Sequence, residues 1–384
     1  MQKTTEVLKG LLEVISNNSQ RTDSGEFPIE NINLLKKEKL MTTLISNNNN
    51  NNNNNITKKI IDCSQLVQEI GKHCLSTSMI YGMHCQQIFT IFNLEDSKAK
   101  NMIIKRLIDK QEYLSSVTSE YVKGGHLLTS NSAIDYIDEG HMFLNRKAPV
   151  VTGGQFADGF LITMKRSSNS NKDDVVLVFA FKEEIQASVK GEWSALGMRG
   201  TQSVPMEFNG VLCRDRILNI NPFIDIAKIY TIPLGHIMWV SSWLGSIKAA
   251  FKQFIKIIKR NQEKRNSETV LSKVSEIRLL IETVDIYLKS VIEKYTRYLQ
   301  NDVKIVDWNK FSIHINNLKI LASENLYKAI NIIIEVVGMY FGYQQIEGIN
   351  FERTLRDLRS ASIMFHNNRL KEVNGKLSLF NSEI

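Results

Sequence analysis

Apolar residues recur three and four positions apart through most of the first 113 residues. VLKGLLEVI, ENINLLKKEKLMTTLI, KKIIDCSQLVQEIGKHC and AKNMIIKRLIDKQEYL each carry that spacing, which gathers apolar side chains on one face of a helix. From about Ser115 the texture changes. HMFLNRKAPVV, FADGFLITMKRS, DDVVLVFAF and VPMEFNGVL are short, rich in β-branched and aromatic residues, and separated by Gly, Asn, Asp and Ser clusters, so they predict strands. SSNSNKDD reads as a hairpin-type loop between two of them. After Pro222 the helical period returns over 226–261, 268–300, 309–343 and 351–373, with apolar positions such as Val274, Ile277, Leu280, Val284, Ile286 and Leu288. Four long helices in succession predict an antiparallel bundle. The fold class is therefore α+β: an N-terminal helical domain over 1–113, a middle β-barrel or β-sandwich domain over 114–222, and a C-terminal four-helix bundle over 223–384.

Two stretches stand outside this pattern. The nine asparagines from Asn47 to Asn55 have too little apolar surface to offset the entropy of ordering, and read as a loop insertion. IPLGHIMWVSSWLGSIKAAF, residues 232–251, looks like a membrane span but contains His236 and Lys248, and is better read as a buried helix. The N-terminus has no long apolar core and carries Glu6 and Glu13, which makes a poor signal or transit peptide. The cytoplasm is the default compartment; a mitochondrial or peroxisomal one stays open.

With 384 residues, 43% hydrophobic and 23% charged, the chain has the composition of a globular protein with a sizeable core. Its 48 Lys and Arg exceed the 40 acidic residues by eight, spread over clusters such as LLKKEK, IKIIKRNQEKR and RTLRDLR. A diffuse positive balance suits anionic small molecules; nucleic acid would call for a basic arm or stripe. Cys63, Cys74, Cys85 and Cys213 form no CxxC pair, and the seven histidines form no HxH or HxxxH pair, so no metal site is expected.

Three stretches carry a family resemblance. SSVTSEYVKGG opens the β region, FLNRKAPVVTGGQFADGFLI follows, and GEWSALGMRGTQSVPMEFNGV comes third. With RTLRDLRSA near the C-terminus and CLSTSMIYGMHCQQIF near the N-terminus, the chain resembles the acyl-CoA dehydrogenase superfamily from about Leu11 to Leu379. That resemblance implies FAD bound between the β domain and the bundle, and a homodimer or homotetramer. Ser116, Val117, Thr118 and Ser119, with Gly124 and Gly125 behind them, would meet the flavin edge. Pro149, Val150, Val151 and Thr152 would cover its other face, with Pro149 where the family has an aromatic and Thr152 one residue late. Trp193 and Arg199 belong to the third stretch; Trp193 reads first as a core residue, and Arg199 could face an anionic substrate.

The default reaction is α,β-dehydrogenation of an acyl-CoA thioester, with hydride passing to flavin N5 and electrons to an acceptor. It needs a general base, normally a glutamate. Neither family position supplies one: no acidic residue lies between Asp225 and Glu263, and His366-Asn367-Asn368 stands where Glu-Gly-Thr is expected. A neutral imidazole can accept a proton, so His366 is the first catalytic candidate. An alternative follows from the superfamily's oxygen-using members, similar to the dibenzothiophene enzymes. They form a C4a-hydroperoxyflavin, take reduced flavin from a reductase, and place histidines rather than a carboxylate near it. His366 and His84 match those two places on a small hydrophobic substrate, with His236 and Asn367 as weaker substrate contacts. Arg353, Arg356, Asp357 and Arg359 read as ion pairs of the last helix. The family's Gln-x-x-Gly-Gly cofactor segment appears as Glu335-Val-Val-Gly338-Met339, and a carboxylate there lacks the amide's donor. A third reading, a non-catalytic relative, follows from that loss.

Overall fold

The structure, a computed structural model, describes residues 2–45, 54–121, 127–301, 303 and 306–381. The poly-asparagine tract up to residue 53, and Gly124 and Gly125 of the expected flavin loop, lie outside the described residues.

Among the described residues five helices come first: α1 (Gln2–Asp23), α2 (Ile29–Lys37), α3 (Asn54–His73), α4 (Leu75–Phe92) and α5 (Lys98–Lys110). Seven strands of the described residues follow: β1 (Leu114–Val117), β2 (Asp135–Tyr136), β3 (His141–Val151), β4 (Gly159–Lys165), β5 (Val175–Phe181), β6 (Gln186–Val189) and β7 (Val204–Cys213). They form two sheets, ordered β1-β4-β5 and β2-β3-β7-β6, antiparallel except for the parallel pair β1-β4. Phe160 of β4 meets Phe208 of β7 edge to face at 4.9 Å, which marks the apolar layer between the sheets. β5, VVLVFAF, is buried at every position, as a strand covered on both faces must be.

The C-terminal helices are α6 (Phe223–Ile226), α7 (Ile232–Arg260), α8 (Gln262–Asn266), α9 (Glu268–Gln300), α10 (Trp308–Tyr343), α11 (Phe351–Leu358) and α12 (Asn367–Phe380). The spacing read from the sequence gives α9 its buried face through Ile277, Val284 and Leu288, whereas Ile286 faces outward. The membrane-like stretch is the centre of the molecule: α7 packs on α3, α4, α9 and α10, and no described helix is long and apolar enough to cross a membrane. Small residues allow that close packing. A Cβ on Gly245 would collide with the Gln68 carbonyl, and Ser241 and Ser242 reach Ser64 and Ser78 at 2.8 and 2.9 Å.

The helical pattern over 351–373 is interrupted. α11 ends at Leu358, a turn region follows, and α12 starts only at Asn367. Phe365 sits in the left-handed region at φ 48°, which a helix cannot absorb. α10 is also broken, at Gly338 with φ 81° and ψ −176°. The ammonium of Lys264 donates to the carbonyls of Val336 and Val337 at 2.6 and 3.3 Å, so the break leaves those acceptors satisfied. Between α6 and α7 the chain makes one π-helical turn, Ala227–Thr231.

Candidate active site

A cavity of about 610 Å³ opens where the helices, the sheets and the C-terminal turn region meet. One wall is a face of α4, formed by Met79, Met83, Gln86, Gln87 and Thr90 at helical spacing. Gln86 donates to the Thr231 carbonyl at 2.7 Å and Thr90 meets the Thr231 hydroxyl at 3.1 Å, so the π-helical turn is fixed to this wall by side chains.

The strand wall follows from side-chain alternation. Ser116 and Thr118 line the cavity, while Val117, between them, points into the core and is fully buried. Val150 and Thr152 line it, while Pro149 and Val151 do not. A register shift between Ala148 and Val151 sets which of these residues turn inward. Ser119 also lines the cavity and bonds Val150 in both senses, accepting from its N–H at 3.2 Å and donating to its carbonyl at 2.8 Å. Behind Ser119 lies a buried ion pair of Arg146 with Glu120. Arg146 donates to the Ser119 carbonyl at 3.0 Å, and the Glu120 carboxylate accepts from the Asn131 amide nitrogen. Burial opposes the charge on Glu120, but Arg146 and these donors bring its pKa down to about 2.

A chain of hydroxyls continues the wall. Thr152 meets Ser203 at 3.0 Å, Ser203 meets Thr201 at 2.9 Å, and Thr201 donates to the Met198 carbonyl at 2.7 Å. The Trp193 indole N–H donates to the same carbonyl at 3.1 Å, and Trp193 lines the cavity rather than plugging the core. Met198 holds φ 55°, and its N–H is taken by the buried Asp357 carboxylate at 2.5 Å. Burial raises that carboxyl to about 6 against the opposing pull of the Met198 N–H. Arg199 turns away from the cavity to pair with Asp23 at 3.1 Å. Arg356 lines the cavity and pairs with Asp23 at 2.7 Å and Glu352 at 2.8 Å, joining α1 to α11.

The turn between α11 and α12, with Arg359, Phe365 and His366, forms the remaining wall together with Arg369 of α12. His366 caps α12: its Nδ1 accepts from the Asn368 N–H at 3.3 Å. In the neutral ring the proton then sits on Nε2, which makes that nitrogen a donor. Asn367 is buried behind it, accepting from the Lys319 ammonium at 2.7 Å. Lys319 also donates to the Phe365 carbonyl at 2.9 Å, and burial brings its pKa from 10.5 to about 7. His236 is buried beside Trp239 and Phe365, contacts the Ile315 carbonyl at 3.3 Å, and does not line the cavity; burial, with Lys319 adding to it, lowers it to about 3.

His84 is likewise held in the core. One ring nitrogen contacts the Met41 carbonyl at 2.8 Å and the other accepts the Leu114 N–H at 3.0 Å, leaving no atom for a ligand. Burial brings it down to about 4. Sequence reasoning missed the α4 face, Ser203, Trp239, Phe365 and Arg369. A signal for α4 was present, since Gln86, Gln87 and Thr90 interrupt an otherwise apolar helix. Among the described residues no Asp or Glu lines the cavity, and no group of three His, Cys, Asp or Glu is placed to hold a metal.

The cavity fits a flavin by its donor set: hydroxyls for a heterocycle edge, an indole face for stacking, and guanidiniums for a phosphate. No family model and no curated protein matches the chain. Solved structures do. FMN-bound TdsC, a dibenzothiophene monooxygenase from Paenibacillus sp. A11-2, superposes with a TM-score of 0.83 at 17% identity over 99% of this chain and 97% of its own. The methanesulfinate monooxygenase MsuC from Pseudomonas fluorescens gives 0.82 at 13% over 99% and 97%. Butyryl-CoA dehydrogenase from Megasphaera elsdenii gives 0.80 at 15% over 97% and 98%. Over the 97–99% of its length that is matched, the chain has the acyl-CoA dehydrogenase fold.

Proposed function

We propose that the protein is a flavin-dependent monooxygenase acting on a small hydrophobic or aromatic substrate, with reduced flavin delivered by a partner reductase. The observation that carries this reading is the absence of any carboxylate among the described residues of the cavity wall. Dehydrogenation of a thioester, the default from sequence, needs a base at the substrate α-carbon. His366 is a poor one as it stands, because the Asn368 N–H occupies Nδ1 and leaves Nε2 a donor. A donor in the cavity wall suits an oxygen atom gaining negative charge. The similarity of the fold to TdsC and MsuC, as well as to butyryl-CoA dehydrogenase, is compatible with either chemistry.

A flavin held here supplies two-electron transfer and, when reduced, activation of dioxygen. Ser116, Thr118 and Ser119 would bond the heterocycle, Trp193 would stack on it, and Arg359 and Arg369 would meet its phosphate. Met79, Met83, Trp239 and Phe365 would enclose the substrate and exclude water. FAD is the proposed cofactor; the same titration tests FMN, the flavin that TdsC carries. The stripe of exposed Leu271, Leu279 and Ile286 on α9 is the proposed contact for a homodimer or homotetramer, read by sedimentation.

The deciding experiment loads the purified protein with each flavin and mixes the anaerobic complex with acyl-CoA thioesters of several lengths. The expected result is no bleaching, together with an oxygen-dependent transient absorbance once the flavin is reduced chemically. Bleaching by any thioester overturns the monooxygenase assignment in favour of dehydrogenation. Protein that binds neither flavin overturns both and leaves the non-catalytic reading.

A further inference from the structure

We propose that a second concavity, separated from the active-site cleft by the Asp23–Arg356 ion pair, binds a small molecule bearing a pyrophosphate group, of the size of a nucleoside diphosphate. It is an open concavity of about 940 Å³ between α1, the end of α3, α7 and the turn leading into α11. Asp23 lines it and Arg356 lines the cleft, so one partner of the pair belongs to each cavity.

The charges in its wall are arranged for an anion. Lys248, Lys252 and Lys256 stand four residues apart on one face of α7, where like charges oppose one another. Lys248 is answered by Asp285 at 2.7 Å, whereas Lys252 and Lys256 make no ion pair or hydrogen bond among the described residues. Lys72 and Arg353 extend the cationic rim. Of the carboxylates in the wall, Asp23 is bound to Arg356 and Arg199, and Glu352 to Arg356; Glu347 is the third. Counting those pairs as neutral, a net positive lining remains.

The frame around these charges is built rather than loose. The Gln253 amide donates to the Gly348 carbonyl at 3.0 Å and accepts from the Asn350 N–H at 3.3 Å, fixing the turn opposite the lysines. The volume exceeds that of the cleft and is far more than inorganic phosphate needs, which points to a phosphate group with an attached body. His73 also lines the wall, and burial holds its imidazole below the usual range. A bound anion must pull it back up.

The test titrates inorganic pyrophosphate and ADP into flavin-saturated protein by calorimetry at fixed ionic strength, with a Lys252→Gln/Lys256→Gln double variant alongside. The expected result is one equivalent bound, at least tenfold weaker in the double variant, with flavin affinity unchanged. The His73 ring, followed by NMR, should titrate at higher pH with ADP present. No binding of either probe, equal affinity in the double variant, or binding that disappears when the cleft is filled with flavin would each overturn the assignment. Should the protein take up no flavin, the functional reading above fails, and the same titration on flavin-free protein still decides this one.

Discussion

Replacing Lys319 with methionine tests how the turn carrying His366 is held. The Lys319 amine is fully buried and donates to Phe365 and Asn367, and burial lowers its pKa from 10.5 to about 7. A neutral amine still has the two hydrogens those acceptors take. The unfolded chain binds the proton up to about pH 10.5 and the folded chain only up to about pH 7, so stability rises with pH between those values. Below the folded value both states are protonated, and the full burden of the buried ammonium remains, on the order of 5 kcal/mol. Between pH 7 and 9 the wild type should therefore gain roughly 2 kcal/mol relative to Lys319→Met, whose side chain does not titrate. Urea unfolding of both proteins at three pH values in that window gives the difference directly. A flat difference would mean that Lys319 titrates normally, and that its two contacts to the turn are not those of a neutral buried amine.

Other expectations follow from the same geometry. Gly197→Ala places a Cβ against the backbone of Arg356 and should destabilise the protein by about 2 kcal/mol or more, seen as a lower melting temperature. Asp357 behaves oppositely to a paired carboxylate: with its folded pKa raised from 3.8 to about 6, it favours the folded state at low pH and that contribution is lost as pH rises through 4 to 6. Wild type should thus lose on the order of 3 kcal/mol against Asp357→Asn across that range; a difference curve that rises with pH would contradict the assignment. His366→Ala should leave flavin affinity within about threefold and cut turnover about a hundredfold, the usual worth of a positioned acid or donor. Unchanged turnover removes His366 from the chemistry.

The parts of the fold set by local pattern are readable in the sequence. The inward row Ile277, Val284, Leu288 on α9 and the continuous run VVLVFAF of β5 are periodicity made visible. SVTS and PVVT, singled out in the sequence, both reach the cavity wall. Which residue of each stretch turns inward was not readable, because the shift between Ala148 and Val151 exchanges the two faces of β3. The break before α12 was hidden for another reason: the turn is held by Lys319, 46 residues from Phe365, and no window along the chain contains both. His84 misled because a histidine on an apolar helix looks the same whether its ring serves a ligand or, as here, the Met41 carbonyl and the Leu114 amide. Ser203 and Trp239 carried no local signal at all.

Arg356 and Asp23 are 333 positions apart, and the turn that carries His366 lies later still. A nascent chain leaving the ribosome can pack its first helices and close both sheets while the wall around His366 is still being synthesised. Any ligand that prefers the completed cleft therefore acts on the last step of maturation, and a chain truncated before α11 would keep its sheets yet have nowhere to hold that ligand.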